Sequence, residues 1–369
     1  MNEINSQMDK KLVWRRLDDK FVIVYNLSIE TVKEKRTKMV GIVDVAKRAN
    51  VSTATVSRVL TKPETVRETT TEKVLKAIEA LDYQPNILAR QLRRLETKTI
   101  LVVVPDITNP FFSKVLRGIE AVAVAKGYQV LLGDTGNDLE REKGYLNILQ
   151  QKKADGMVLL TARMDAAAVE EVARRFPVVL ACEYIEGSSI PTVSIDNISG
   201  ARKAMEYLID LGHERIGCIT GPLDIVLSRD RLKGFYQAMA RKNLIVDPVL
   251  VQEGDFSFDS GFNLMMKFFA LGQLPTAIFA ANDEMAMGVI KAIKSKGLNV
   301  PEDISVLGFD NLKFSSIFEP GLTTIAQPAF EIGENAMELL MKLISKEEVK
   351  REQIILADQL VVRESVRSI

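Results

Sequence analysis

Residues 44–60 read DVAKRANVSTATVSRVL, and this stretch decides what kind of module heads the chain. Ile42, Val45, Ala46 and Ala49 form an apolar stripe at helical spacing, after which Asn50 can take the left-handed turn conformation that glycine more often fills. Ser52 stands where a helix N-cap belongs, ahead of TATVSRVL. Two short helices packed steeply around a tight turn leave the outer face of the second, with Thr53, Thr55, Ser57 and Arg58, free to enter a major groove. The alternative reading of that face is a solvated helix surface. A third helix is predicted within TTTEKVLKAIEALDY (69–83), with Glu72 in its first turn and Val74, Leu75, Ile78 and Leu81 on one face.

On the N-terminal side, residues 1–39 differ from everything that follows. They hold the sole tryptophan, Trp14, an apolar run FVIVYNL (21–27) and the charged stretch KEKRTK (33–38). Two readings stand: a weakly ordered extension, or non-native sequence ahead of a true start at Met39. On the C-terminal side, QPNILARQLRRLETK (84–98) reads as a linker, with Pro85 suited to a helix first position. It is not the Gly/Ser-rich sequence of a plain flexible tether. From Val40 to Lys98 eleven Lys and Arg face seven acids, so the head is locally basic although the whole chain balances 49 against 49.

Beyond Thr99 short apolar runs (TILVVVP, YQVLLGD, DGMVLL, PVVLAC, TVSI, RIGCIT, TAIFAA, ISVLGFD) alternate with helical stretches. That alternation predicts βαβ units and mainly parallel sheets buried on both faces, more naturally two doubly wound lobes than one. A hydrophobic fraction of 47% and a charged fraction of 27% suit a globular protein. No bilayer-length apolar run or secretion signal is present, so a cytoplasmic location is expected. Cys182 and Cys218 sit in β-like runs and read as small buried hydrophobes. With His213 the single histidine, a His-based zinc or catalytic cluster is not expected, and neither a metal nor a cofactor is called for.

The chain resembles the LacI/GalR family of repressors. The resemblance rests on VDVAKRANVSTATVSRVL, YQPNILARQL, PDITNPFF, DGMVLL, LGHERIGCITGP, RLKGF, AANDEMAMG, GFDN and LTTIAQP, which run in family order from Val40 onward. It implies an all-α helix-turn-helix head (40–83), a hinge helix (84–98) and a two-lobed sensor like a periplasmic binding protein (99–369). The lobes would be about 99–196 with 327–353, and about 197–326 with 354–369. In the head, Thr53, Ala54 and Arg58 would face base edges, Arg58 being suited to a guanine O6/N7 pair. Ser52, Thr55 and Ser57 would touch phosphates and set register. In the hinge, Leu92 would wedge the minor groove, Ala89 would meet the partner hinge, and Asn86 and Arg90 would lie near the backbone. Unstacking a base step costs roughly a few kcal/mol, offset by the contacts a bent duplex allows.

For the sensor the resemblance implies a pocket lined by Asp106, Asn109, Phe111, Phe112, Glu183, Ile225, Leu227, Arg231, Phe256, Asn282, Asp310 and Gln327. Arg231 with Asp310 can fork hydrogen bonds to vicinal hydroxyls, and the phenylalanines can stack on a sugar face or a base. Plainer roles compete: Phe112 as core, Arg231 as an internal ion pair, Asn282 and Asp283 as helix caps. NPFF, GDFSFDSG and the apolar Ile225 and Leu227 bring the chain nearest to the nucleoside-sensing repressors, with cytidine a candidate. The alternatives are a sugar effector or a solute-binding protein without DNA activity. Arg229 fits no pattern.

An enzyme is not expected: no G-x-G-x-x-G follows the first strand, and neither a P-loop nor a G-x-S-x-G elbow occurs. One short reading helix contacts few base pairs, so a homodimer on paired half-sites is expected, its surface formed near 111–124 and along 329–344.

Overall fold

A computed structural model describes residues 12–17, 20–25, 40–83, 96–349 and 353–369. The hinge candidates Asn86, Ala89, Arg90 and Leu92 lie outside the described residues. The chain divides into two compact units, Met1–Arg90 and Gln91–Ile369.

In the first unit, strands β1 (Leu12–Leu17) and β2 (Lys20–Tyr25) pair antiparallel as a hairpin. Helices Ile42–Ala49, Thr53–Thr61 and Glu68–Ala80 follow. Asn50 closes the first at φ 52° and the Ser52 hydroxyl caps the second by accepting from Thr55 N at 3.1 Å. The third helix starts earlier than predicted, with Glu68 rather than Glu72 in its first turn. Leu75 is exposed, and the inward face is Val74, Ala77, Ile78 and Leu81, the i, i+3, i+4, i+7 set that a 3.6-residue period demands. Val45, Ala46, Ala49, Val56 and Val59 complete this small core.

The second unit holds two six-stranded sheets. The first has the order β13-β7-β6-β5-β3-β4, from strands β3 (Thr99–Val104), β4 (Gln129–Asp134), β5 (Gly156–Leu159), β6 (Val178–Ala181), β7 (Thr192–Ile195) and β13 (Gln353–Leu356), all parallel. The second has the order β14-β12-β11-β10-β8-β9, from β8 (Ile216–Thr220), β9 (Val251–Glu253), β10 (Ala277–Ala280), β11 (Ser305–Asp310), β12 (Thr323–Ala326) and β14 (Gln359–Val361). It is parallel except for β14 against β12. β5, β6, β8, β10 and β11 are buried along their whole length, as sheets covered by helices on both faces must be. The four strands absent from the sequence reading, β9, β12, β13 and β14, are at most four residues long. The chain passes between the sheets near 196, 327–328 and 357–358. The last crossing comes later than the expected boundary at 353, because Gln353–Leu356 pairs in parallel with Thr192–Ile195 and so belongs to the first sheet.

Glycine sets how closely the covering helices approach. A Cβ on Gly118 in helix Pro110–Ala125 would lie 2.0 Å from the Phe330 carbonyl oxygen, and one on Gly333 in helix Ala329–Ile344 would lie 2.0 Å from that of Val115. The same device recurs where Phe258–Phe268 crosses Asp283–Ser295, with Gly261 and Gly288 each about one bond length too near backbone to bear a side chain. Among the described residues no helix is long and apolar enough to cross a membrane.

Gly118→Ala and Gly333→Ala should each destabilise the second unit by about 1–3 kcal/mol, because backbone meets backbone and neither can yield. Gly144→Ala, in an exposed helical position with nothing within 4 Å, should instead stabilise by roughly 0.4–1 kcal/mol. Calorimetric Tm values of the three variants check the opposite signs.

Candidate functional sites

In the head, burial of Val56 and Val59 rotates Thr53, Ala54 and Arg58 outward, and all three are exposed. Arg58 has no ion-pair partner among the described residues. Ser52 and Thr55 are already joined, hydroxyl to hydroxyl at 2.9 Å in addition to the cap, so their remaining capacity is what they could offer a phosphate. Ser57 is half-buried and its carbonyl accepts from the Thr61 hydroxyl at 2.8 Å. The result is a rigid helix end carrying small exposed groups and one long cation.

In the second unit a cavity of about 260 Å³ opens where the carboxyl ends of both sheets meet. All twelve residues named for the sensor lie on its wall. Seven strand ends supply them: Asp106, Asn109, Phe111 and Phe112 after β3, Glu183 after β6, Ile225, Leu227 and Arg231 after β8, Phe256 after β9, Asn282 after β10, Asp310 at the end of β11 and Gln327 after β12. The switch-point geometry of open parallel sheets requires this position. The sequence reading missed Thr108, Asn137, Thr161, Arg163, Cys182, Asp255, Ser257 and Glu284 on the same wall. Their shared signal was position: each lies within a few residues of a strand's carboxyl end.

Four of the lining residues have positive φ, Asn137 at 62°, Cys182 at 73°, Phe256 at 71° and Asp310 at 112°. Non-glycine residues in that region carry strain, which gathers where a site must be shaped. The far end of the Phe256 ring packs against Gly221, where a Cβ would come within 2.0 Å of it. Phe111 and Phe112 meet edge to face with centroids 5.4 Å apart. Phe111 is buried and Phe112 half-buried, so the first anchors the second at the wall.

Several polar groups are less free than expected. Arg231 Nε donates to Asn197 Oδ1 at 2.9 Å, Nη1 to the Ala281 carbonyl, and the guanidinium lies 3.7 Å over the Phe309 ring. Only Nη2 faces Asp310, at 3.7 Å. Arg231 thus pins the lobe together and has little left with which to fork a ligand. Asn282 caps its helix by accepting from Met285 N at 2.9 Å and donates to the Phe256 carbonyl at 2.9 Å, holding that strained residue in place. Asp283 is wholly internal, accepting from Leu312 N, Ser315 Oγ and Thr324 Oγ1. Asn109 caps helix Pro110–Ala125, and Asp106 accepts from Thr108 N and Oγ1. Arg229, unexplained by sequence, ties the Leu223 and Asp224 carbonyls to its own helix. His213 is buried and satisfied by Thr276 Oγ1 and the Arg367 carbonyl, far from any role in binding.

Five carboxyl groups (Asp106, Glu183, Asp255, Glu284, Asp310) share the wall with two arginines. Burial pushes Glu183 up to about 8 and Asp310 up to about 7, the nearby Arg231 only partly offsetting the latter. Gln327 Nε2 donates to Asp310 Oδ1 at 2.6 Å. Both cysteines are buried free thiols held above their ordinary pKa by desolvation. The described residues contain no group of His, Cys, Asp and Glu arranged to hold a metal.

Residues 41–86 match the family of bacterial regulatory proteins, lacI family, and residues 205–366 match the periplasmic binding protein-like domain. The HTH-type transcriptional repressor CytR of Escherichia coli strain K12 is 43% identical over 327 residues, covering 88% of this chain and 96% of that protein. The HTH-type transcriptional repressor PurR of Photobacterium profundum is 37% identical, covering 90% and 100%. The lac repressor dimer bound to operator and the anti-inducer ONPF superposes with a TM-score of 0.81 at 32% identity, covering 89% of this chain and all of that one.

The raised carboxyl pKa values fix the sign of a pH effect. A folded pKa above the ordinary value means the folded state holds the proton more tightly, so stability is full below about pH 4 and lost as pH rises through about 7 for Asp310 and about 8 for Glu183. The Tm of the unliganded protein should fall from about pH 5 to about pH 8, and Asp310→Asn should make that fall shallower, as differential scanning calorimetry across this range would show. A Tm that climbs over the same window contradicts the assignment.

Proposed function

The chain belongs to the LacI family of bacterial regulatory proteins and is a DNA-binding transcriptional regulator with an effector-binding domain, and from this premise we propose that it is a repressor controlled by a nucleoside. The observation that carries the effector class is the wall of the cavity. Phe111, Phe112 and Phe256, with Ile225 and Leu227, supply aromatic and apolar surface, while carboxyl and amide groups supply the polar part. A flat heterocycle stacks on the first and ribose hydroxyls bond to the second. Five carboxyl groups against two arginines, one of them largely engaged, disfavour a phosphate-bearing ligand. A volume of about 260 Å³ is at the small end of ligand sites, which disfavours an oligosaccharide. A monosaccharide is the second reading, favoured by the Asp310–Gln327 pair, which suits hydroxyl groups.

Control follows from linkage. A metabolite that binds one arrangement of the two lobes more tightly shifts the population toward it, and the same free energy appears in operator affinity. In this reading the protein works in the cytoplasm as a homodimer, each head contributing one reading helix, with Thr53, Ala54 and Arg58 toward bases and Ser52, Thr55 and Ser57 toward phosphates. The same reading gives Leu92 the minor groove, Ala89 the partner hinge, and Asn86 and Arg90 the DNA backbone, all four lying outside the described residues. It is a regulator and not an enzyme.

Gel-shift titrations with double-stranded operator candidates at low salt, with and without nucleosides and monosaccharides, test this directly. Arg58→Ala should cost roughly 1–3 kcal/mol of sequence-specific binding while leaving nonspecific binding nearly intact. A nucleoside should raise the Tm and change operator affinity together. If monosaccharides alone do so, the nucleoside assignment is wrong.

A further inference from the structure

We propose that Glu183 selects the metabolite by donating its Oε2 proton to a hydrogen-bond acceptor on the ligand, a ring nitrogen or carbonyl oxygen of a heterocycle, so that binding is linked to that proton. The inference rests on the reading of the cavity as the effector site and adds the group that discriminates among ligands there.

Glu183 follows β6 and is 4% exposed, yet it lines the cavity. Its Oε1 accepts from Ala162 N at 2.8 Å, whereas its Oε2 is buried without a hydrogen-bond partner. Few buried polar atoms stay unmatched, and an unmatched oxygen on a residue that lines a cavity is open to pairing with what fills that cavity once the side chain turns toward it. Arg163, on the same wall, also has a buried Nε with no partner. Two complementary groups on one wall are thus left unpaired.

The surrounding charges decide which form of the carboxyl faces the ligand. Arg163 follows β5, Glu142 on helix Leu139–Gln150 accepts from Arg163 N, and Arg229 comes from helix Val226–Arg241; their fields act on Glu183 in opposing directions. Cys182 beside it holds its thiol proton, and Asp310 acts on that thiol from the second sheet. Among the described residues no cation forms an ion pair with Glu183. Burial therefore prevails and keeps the proton on through neutral pH, up to about 8. Because Oε1 is the oxygen that accepts from an amide, it is the carbonyl, and the proton sits on Oε2. A ligand that offers an acceptor there is held; one that offers only an N–H or a C–H leaves the proton unmatched, and such mismatches discriminate strongly.

Isothermal titration of the full chain with cytidine, adenosine and ribose from pH 6 to pH 9 provides the test. Wild-type affinity for the nucleoside that binds should fall about tenfold between pH 7 and pH 9 as the donor is lost. Glu183→Gln keeps an N–H donor at that place and an oxygen for Ala162 N, so its profile over the same range should be flat once the share common to both proteins is subtracted. Wild-type titrations at pH 8.5 in buffers of differing ionisation enthalpy should show uptake of most of a proton per ligand bound, a readout that does not depend on any variant folding. Parallel profiles for wild type and Glu183→Gln, or no proton uptake at pH 8.5, overturn the role of Glu183 while leaving the nucleoside reading in place. Binding of ribose but of neither nucleoside at any pH overturns both.

Discussion

Covering both faces of a parallel sheet with helices leaves its polar groups almost nowhere to go. In β5, β6, β8, β10 and β11 every residue is buried, so the strands carry only what can live in an apolar interior. The chain can show chemistry to the outside only where strands end, and the parallel arrangement collects the carboxyl ends on one side. Two such sheets joined by three crossings bring two rows of ends together. The cavity, its strained residues and its excess of carboxyl groups all follow from that constraint.

The lobes that frame the cavity are made rigid by close backbone contact. Gly118 with Gly333, and Gly261 with Gly288, let paired helices approach until carbonyl oxygens occupy the space of a missing Cβ. Interiors packed this way move as units and deform little, which suits a device that changes by rearranging lobes. Between them, Arg231 and Asp283 tie separate strand ends of the second lobe into one piece through Asn197, Ala281, Leu312, Ser315 and Thr324. Phe256 is held at its left-handed angle by Asn282 from one side and by the bare backbone of Gly221 from the other. Strain at the mouth is therefore backed by order behind it.

Much of this could be read from the sequence, and the exceptions have physical reasons. The helix-turn-helix was legible because Val45, Ala46, Ala49, Val56 and Val59 must share one small core, which leaves few ways to arrange eighteen or so residues. Long apolar runs gave the central strands. The edge strands β9, β13 and β14 were invisible because a half-exposed strand of three or four residues has no run to show. Leu75 misled because it is apolar but stands one position off the helical period. The wall of the cavity was readable as positions, since strand ends announce it. What each wall residue does was not, because that depends on partners far away in sequence: Arg231 looked like a ligand fork until Asn197 and Ala281 took its donors, and Arg163 carried no signal beyond its place after β5.

Availability rather than identity therefore separates the polar groups on the wall. Asn109 and Asn282 resemble binding residues, but their side-chain oxygens cap helices, and Asp106 commits Oδ1 to a turn, keeping only Oδ2. Asp310 is shared between Gln327 and Arg231. Both of these contacts fall on Asp310 Oδ1; Glu183 is the acid of the wall whose unpartnered oxygen is itself buried. A site discriminates most strongly with groups that are costly to leave unpaired, because the wrong ligand then bears that cost in full. Shape, supplied by the phenylalanines and Ile225, admits a class of molecules; the unmatched carboxyl decides among its members.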